Sequence, residues 1–241
     1  MLQRQDTDWA APSARGVRAG ATAALQVVVA VIPFGMIFGV VATEAGLNLW
    51  QTMAMTVIVI AGASQFVALE FLTDGAPAAI AVLAGSIVNL RMAMYSATLA
   101  TYWTGVPMRW RLPAAFVLHD QSFALSIARQ RAFPAESVSD RLGYFLGVGV
   151  LTSSVWVVAT YAGASLGSQI PAEWGVEFAV PVTFLAIAVP LIRTRADWAA
   201  ALVAGALAIL LSDMPYGTGL LIAAAAGIAA GMAAKRAGRA T

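Results

Sequence analysis

The chain contains no cysteine, a single histidine, and charged residues at only 11% of its 241 positions. Without cysteine there is no disulfide framework and no thiolate metal site. The lone His119 is the only side chain whose ordinary titration range lies near neutrality. Catalytic and cofactor signatures are missing as well: no H-E-x-x-H, no paired aspartate motif, no phosphate loop and no dinucleotide fingerprint occurs. No metal and no cofactor is therefore expected. A soluble domain has about 25% charged and about 45–50% apolar residues. Here 60% are hydrophobic and the mean hydropathy is +0.80. A water-soluble core of this length cannot bury such an excess, so the solvent is lipid. The net charge of +2 comes from short basic clusters between apolar runs, which argues against a nucleic-acid partner.

Eight apolar segments are present: Val17–Thr43, Leu49–Leu72, Pro77–Trp103, Leu112–Ala128, Leu142–Ser168, Phe178–Ile192, Trp198–Ser212 and Gly217–Ala234. A spanning helix needs about 20 residues, so the fourth, sixth and seventh are short. None shows the alternation of a membrane β-barrel strand. The expected fold is all-α, a polytopic helical membrane protein of about eight transmembrane or re-entrant segments. The polar N-terminus leads into an apolar run too long for a signal-peptide core, which reads as a retained first span. Arg4, Arg15, Arg18, Arg129, Arg131, Arg141, Arg193, Arg195, Lys235, Arg236 and Arg239 fall on one side if eight crossings place both termini in the cytoplasm. Glu44, Glu173, Glu177 and Asp213 then lie outside. Arg109 and Arg111 break the pattern unless the second and fourth segments are re-entrant.

A weak two-fold internal repeat aligns Ala84, Gly85 and Thr98 with Ala204, Gly205 and Thr218. In that alignment Asn89 and Arg91 face Ile209 and Leu211. A single membrane domain over 1–241 is expected, with the polar site in the first half (17–128) and a weak repeat in the second (142–234). Transporters often carry such repeats, with broken helices where they meet.

Arg91 stands in the middle of the run 78–102. A guanidinium at mid-bilayer costs roughly 2.5–3.5 kcal/mol on insertion scales. It cannot reach an interface about 15 Å away. It is either a structural tie between helices or the fork that holds an anionic substrate group bidentately. Asn89 lies two residues earlier, about 200° away on an ideal helix. Asn89 and Arg91 line one cavity only if the helix is unwound near Leu90; otherwise they belong to separate stripes, Arg91 with Tyr95. In "GASQFVALE", Gly62 and Ala63 suit close helix packing, whereas the Gln65 amide needs several partners. A break there would offer Ser64, Gln65 and carbonyls near Gly62 to a zwitterion. In "FVLHDQSFALSIA", Asp120 and His119 are either a proton path or residues near the aqueous end of a short helix. Gly62-x-Ser64 with His119 is too short a pattern to specify a serine hydrolase, and no enzyme is expected.

The stretches "IPFGMIFGVVATEAGL" (Ile32–Leu47), "AGASQFVALEFL" (Ala61–Leu72) and "VNLRMAMYSATLA" (Val88–Ala100) resemble the AzlC-type large subunits of bacterial branched-chain amino acid exporters. "HDQSFAL" (His119–Leu125) is similar more loosely. The resemblance covers nearly the whole chain and implies a multi-pass protein of the bacterial cytoplasmic membrane. It further implies export of leucine, isoleucine, valine and, at the margin, methionine, with a small AzlD-type membrane subunit as partner. Met92 stands where that family commonly has His, and Gln121 replaces an acidic residue, which leaves Asp120 as the acidic group of this segment.

The combined expectation is a proton-coupled secondary transporter. Arg91, with Tyr95 on its face, would take the carboxylate. Gln65, Ser64, Asn89 and the backbone near Gly62 would take the ammonium, and Phe66 and Met92 the branched tail. Asp120 and His119 would exchange the proton. A channel or permease for another small zwitterion or anion is the alternative, and an intramembrane hydrolase a remote one.

Overall fold

The computed structural model describes residues 11–167, 192–214 and 218–238, together with Leu185 and Val189. The expected sixth segment, Phe178–Ile192, lies almost wholly outside the described residues, as do Arg4, Glu173, Glu177 and Arg239. Every regular element among the described residues is helical. Two compact units make up the chain, Met1–Gln65 with Val88–Ile170 and Phe66–Ile87 with Pro171–Thr241.

The first unit opens with α1 (Ala14–Glu44), whose N-cap Ser13 accepts a hydrogen bond from the Gly16 N–H. Its 31 residues rise about 46 Å at about 1.5 Å per residue, more than the hydrocarbon core requires. Gly46, at φ 89°, then turns the chain, and the amide of Asn48 caps α2 (Leu49–Ile58) in a reciprocal box with Gln51. After a non-helical step at 59–61, α3 (Gly62–Thr73) begins. The segment expected as one span over Leu49–Leu72 is thus two half-length helices. Gly75, at φ 74°, turns the chain again into α4 (Ala78–Ala100).

Leu112–Ala128 is also divided. α5 (Met108–Phe116) ends before a break at 117–119, and α6 (Asp120–Ala132) starts from the N-cap His119. α4, by contrast, runs unbroken through Leu90. The unwinding that would have joined Asn89 to Arg91 is absent, because nothing near Leu90 interrupts the ladder, and the two side chains point to different faces.

α7 (Val138–Gly167) is the spine of this unit, and its packing on α1 is the most extensive between any two helices. The two run parallel: Gly16 and Gly20 lie against the Asp140 and Tyr144 backbone, and Gly39 against Thr160 and Gly163. Gly143 and Gly147 return the contact onto Ser13 and Val17. A Cβ at Gly20 or Gly147 would overlap a facing carbonyl, so glycine is required for the approach, as in other close helix pairs in lipid. At their N-terminal ends, the Ser13 hydroxyl donates to Asp140, and Arg15 pairs with Asp140 at 3.0 Å. A second apolar cluster joins Leu99, Trp103, Val117, Leu142 and Phe145.

In the second unit, α8 (Arg195–Leu210) is capped by Thr194 and runs antiparallel to α9 (Thr218–Ala237), with Gly227 seated against Ala200 and Ala204. The backbone N–H and hydroxyl of Thr194 hold the Asp197 carboxyl below its usual range. Phe71, Ala76, Ala81 and Ala84 form the core cluster of this unit.

Among the described residues, four helices are long and apolar enough to cross a membrane: Ala14–Glu44, Ala78–Ala100, Val138–Leu166 and Thr218–Ala237. Large apolar side chains such as Val29, Ile58, Ile209 and Leu210 stand at least three-quarters exposed. That surface suits lipid and does not suit water.

Candidate functional site

The central polar cluster forms where the middle of α4 meets the start of α6. Arg91 and Tyr95, four residues apart, share a face of α4; Asp120 and Phe123 share one on α6. Arg91 Nη2 lies 3.0 Å from Asp120 Oδ2. The Tyr95 hydroxyl donates to Asp120 Oδ1 at 3.0 Å, and its ring stacks on Phe123 with centroids 4.0 Å apart. Asp120 also occupies the first turn of α6, where the helix dipole favours an anion. The pair is not sealed: the side chain of Arg91 is 29% exposed and that of Asp120 45%. Nor is the guanidinium saturated, since its Nε has no hydrogen-bond partner among the described residues. The sequence suggested separate tasks for Arg91 and Asp120. The fold makes them one ion pair.

His119 supports this cluster from behind. It is buried, and its Nδ1 accepts the Ser122 N–H while the Ser122 hydroxyl accepts the His119 N–H. Its Nε2 lies 2.8 Å from the Thr152 hydroxyl, which itself donates to the Val148 carbonyl. With that hydroxyl proton engaged, Nε2 carries the ring proton and Nδ1 is the acceptor. The Gln121 side-chain amide lies 3.0 Å from the same Nδ1. His119 thereby fixes the turn that aims Asp120.

The Gly62–Gln65 stretch forms a second cluster, held by α7. Gln65 is fully buried: its Nε2 donates to Thr56 Oγ1 at 3.2 Å, and Trp156 Nε1 donates to its Oε1 at 3.1 Å. Trp156 packs on Phe34 and Phe38 of α1. A Cβ on Gly62 would come within 2.8 Å of the Trp156 ring, so Gly62 makes room for the indole. Ser64 and Phe66 are buried and Met92 is half-buried. Asn89 is half-buried with its Oδ1 unpartnered among the described residues.

The structure therefore brings Arg91, Tyr95 and Asp120 together, and brings Gly62 and Gln65 around Trp156. Sequence reasoning missed Thr56, Phe123, Thr152 and Trp156. Threonines inside apolar helices were the available signal for two of them, since a buried hydroxyl needs a partner.

The AzlC protein family profile matches residues 26–170, which is more than half of the chain and contains both clusters. A Helicobacter pylori protein described as an uncharacterized membrane protein is 27% identical over 165 residues, covering 68% of this chain and 70% of that relative. An Archaeoglobus fulgidus protein of the same description is 28% identical over 217 residues, 87% of this chain and 91% of the relative. The Escherichia coli inner membrane protein YgaZ is 28% identical over 181 residues, 73% of each chain. No solved structure matches. Fold, surface and relatives agree on a helical membrane protein, a class consistent with transport, and the chain belongs to the AzlC protein family.

Proposed function

We propose that this chain is a secondary transporter that exports branched-chain and related hydrophobic amino acids across the bacterial cytoplasmic membrane, coupled to proton entry. The open Arg91–Asp120 pair carries the reading. An amino acid zwitterion carries the same two charges as that pair. Its carboxylate replaces Asp120 on the guanidinium fork, and its ammonium bonds the carboxylate so released. Total charge in the cluster stays constant, which limits the desolvation penalty of parting the pair. A protonated Asp120 cannot hold an ammonium, so proton and substrate exclude one another at this residue. Mutual exclusion at one group is the logic of an exchanger: substrate loads from the cytoplasm and a proton displaces it outside. Tyr95 follows Asp120 through the exchange by hydrogen bonding either form.

The finer assignments belong to the same proposal. Asn89, Ser64, Gln65 and the backbone near Gly62 polarise the solute path, and Phe66 and Met92 meet the branched tail. Gln65 can take part only by releasing Thr56 or Trp156. His119 positions Asp120. Two half-length helix pairs support a transport role, since interrupted helices recur at transporter sites. Re-entrant second and fourth segments, a two-fold repeat and cytoplasmic termini complete the topology we propose. A small AzlD-type partner fits the long exposed apolar strip on α4, where Val82, Leu83, Leu90 and Met94 are each more than half exposed.

Efflux of labelled leucine from vesicles with an imposed pH step tests the reading. Export should follow the gradient in the native chain and lose gradient dependence in Asp120→Asn. Leucine movement that ignores the pH step in the native chain would sink the coupling proposal.

A further inference from the structure

The turn between α6 and α7 is held from both sides. Arg129, in the last turn of α6, binds Glu136 through Nε and Nη2, the shortest contact being 2.8 Å. The same guanidinium lies 4.2 Å from the centroid of the Phe133 ring. Arg141, in the first turn of α7, donates from Nη2 to the Pro134 carbonyl. The turn so fixed borders an open hollow of about 600 Å³ within the first unit. Its lining is apolar from Ala132 to Ala135 and otherwise consists of Arg15, Arg129 and Glu136.

Charge and depth together define what this hollow suits. Over 11–20 and 129–141 five arginines stand against two carboxylates, Glu136 and Asp140. Arg15 meets Asp140 through Nη2 alone and its side chain is 79% exposed, so the rest of its fork is open to an oxyanion. Arg18 and Arg131 are exposed, and neither has an ion pair among the described residues. α1 and α7 have 31 and 30 residues, about 45 Å each at about 1.5 Å per residue. Shared between the two ends, the surplus over a hydrocarbon core of about 30 Å puts roughly 7 Å of each helix end among the headgroups. Arg15 and the α6–α7 turn lie at those ends. At that depth Phe133, 51% exposed, meets the acyl boundary, as apolar side chains beside cations do on membrane surfaces. The apolar stretch gives a free phosphate ion nothing to bind. It gives glycerol and the first acyl carbons a surface.

We propose that the α6–α7 turn and the start of α1 form a binding site for one anionic phospholipid. Arg15 and the edge of Arg129 turned away from Glu136 take the phosphodiester, and Phe133 with Pro134 takes the glycerol and upper acyl chain. Basic pockets of this kind recognise acidic headgroups. A headgroup without an ammonium fits best, because Glu136 is already engaged by Arg129 and the remaining charges nearby are cations. The site does not involve the Arg91–Asp120 pair and stands without the exporter reading.

Native mass spectrometry of the purified full-length chain in detergent tests it. Dioleoyl phosphatidylglycerol is the probe, dioleoyl phosphatidylcholine its zwitterionic counterpart, and glycerol phosphate the headgroup without chains. The first should bind at one site about tenfold more tightly than the second, and glycerol phosphate should show no saturable binding to about 10 mM. Arg15→Gln should weaken phosphatidylglycerol about fivefold, and Phe133→Ala should also weaken it. Arg236→Gln, in the basic end of α9, should leave its affinity within about twofold. The assignment fails if the two lipids bind alike, or if glycerol phosphate binds as tightly as the lipid. It fails equally if both hollow variants keep native affinity, or if Arg236→Gln costs as much as Arg15→Gln, which would mean general surface charge. None of these readouts involves transport, so a chain that exports no leucine yet binds the lipid through Arg15 would reject the exporter reading alone.

Discussion

At the scale of single residues, a charge inside an apolar run is readable from sequence, and its partner is not. Arg91 stood out because nothing around it is polar enough to explain it. Asp120 lies 29 residues further on, beyond a turn and the whole of α5, and no periodicity connects it to Arg91. The pairing yields a prediction with a clear sign. Arg91→Lys keeps the charge and loses the fork, so leucine export by inserted protein should fall by about tenfold or more; export at the native rate would remove Arg91 from substrate capture. Gln65 teaches the same lesson. Its amide was recognisable as needing partners, but Trp156 lies 91 residues away in sequence. Gln65→Leu strands the Trp156 N–H and should lower stability by about 1–3 kcal/mol, read as a lower midpoint of thermal unfolding in detergent. An unchanged midpoint would mean that the indole finds another acceptor.

At the scale of elements, apolar runs gave the helices but not the exact positions of the interruptions. Of the two readings at Leu90, unwound or continuous, α4 takes the continuous one, and no glycine or proline adjoins Leu90 to interrupt the ladder. The real break at 59–61 falls within and just after Val57, Ile58, Val59 and Ile60, a β-branched run that favours helix less than its hydropathy implies. The other break hides behind a histidine serving as N-cap, a residue outside the usual Ser, Thr, Asp and Asn set. His119→Ala should cost about 1 kcal/mol at this helix start. It should also raise hydrogen exchange at the first turn of α6 while leaving α7 unchanged. Uniform exchange along α6 would deny His119 its capping role.

At the scale of the whole molecule, composition alone identified the solvent, and the basic clusters supplied an orientation. The absence of cysteine makes that orientation directly measurable, because one introduced thiol is the only one present. Ala135→Cys, exposed between α6 and α7, should react with an impermeant maleimide from the cytoplasmic side only. Trp50→Cys, at the start of α2 and 84% exposed, should react from the opposite side only. Labelling of both from one side would place α1 outside the membrane-crossing set.

The parallel pair of α1 and α7 sets a mechanical consequence. Where glycine lets two backbones touch, there are no side chains between them to slide or repack, and any relative shift drives a Cα into a carbonyl. Those two helices form a stator. In the transport cycle we propose, alternating access to the ion pair falls to the half-helices α5 and α6, which swing against a frame that does not yield.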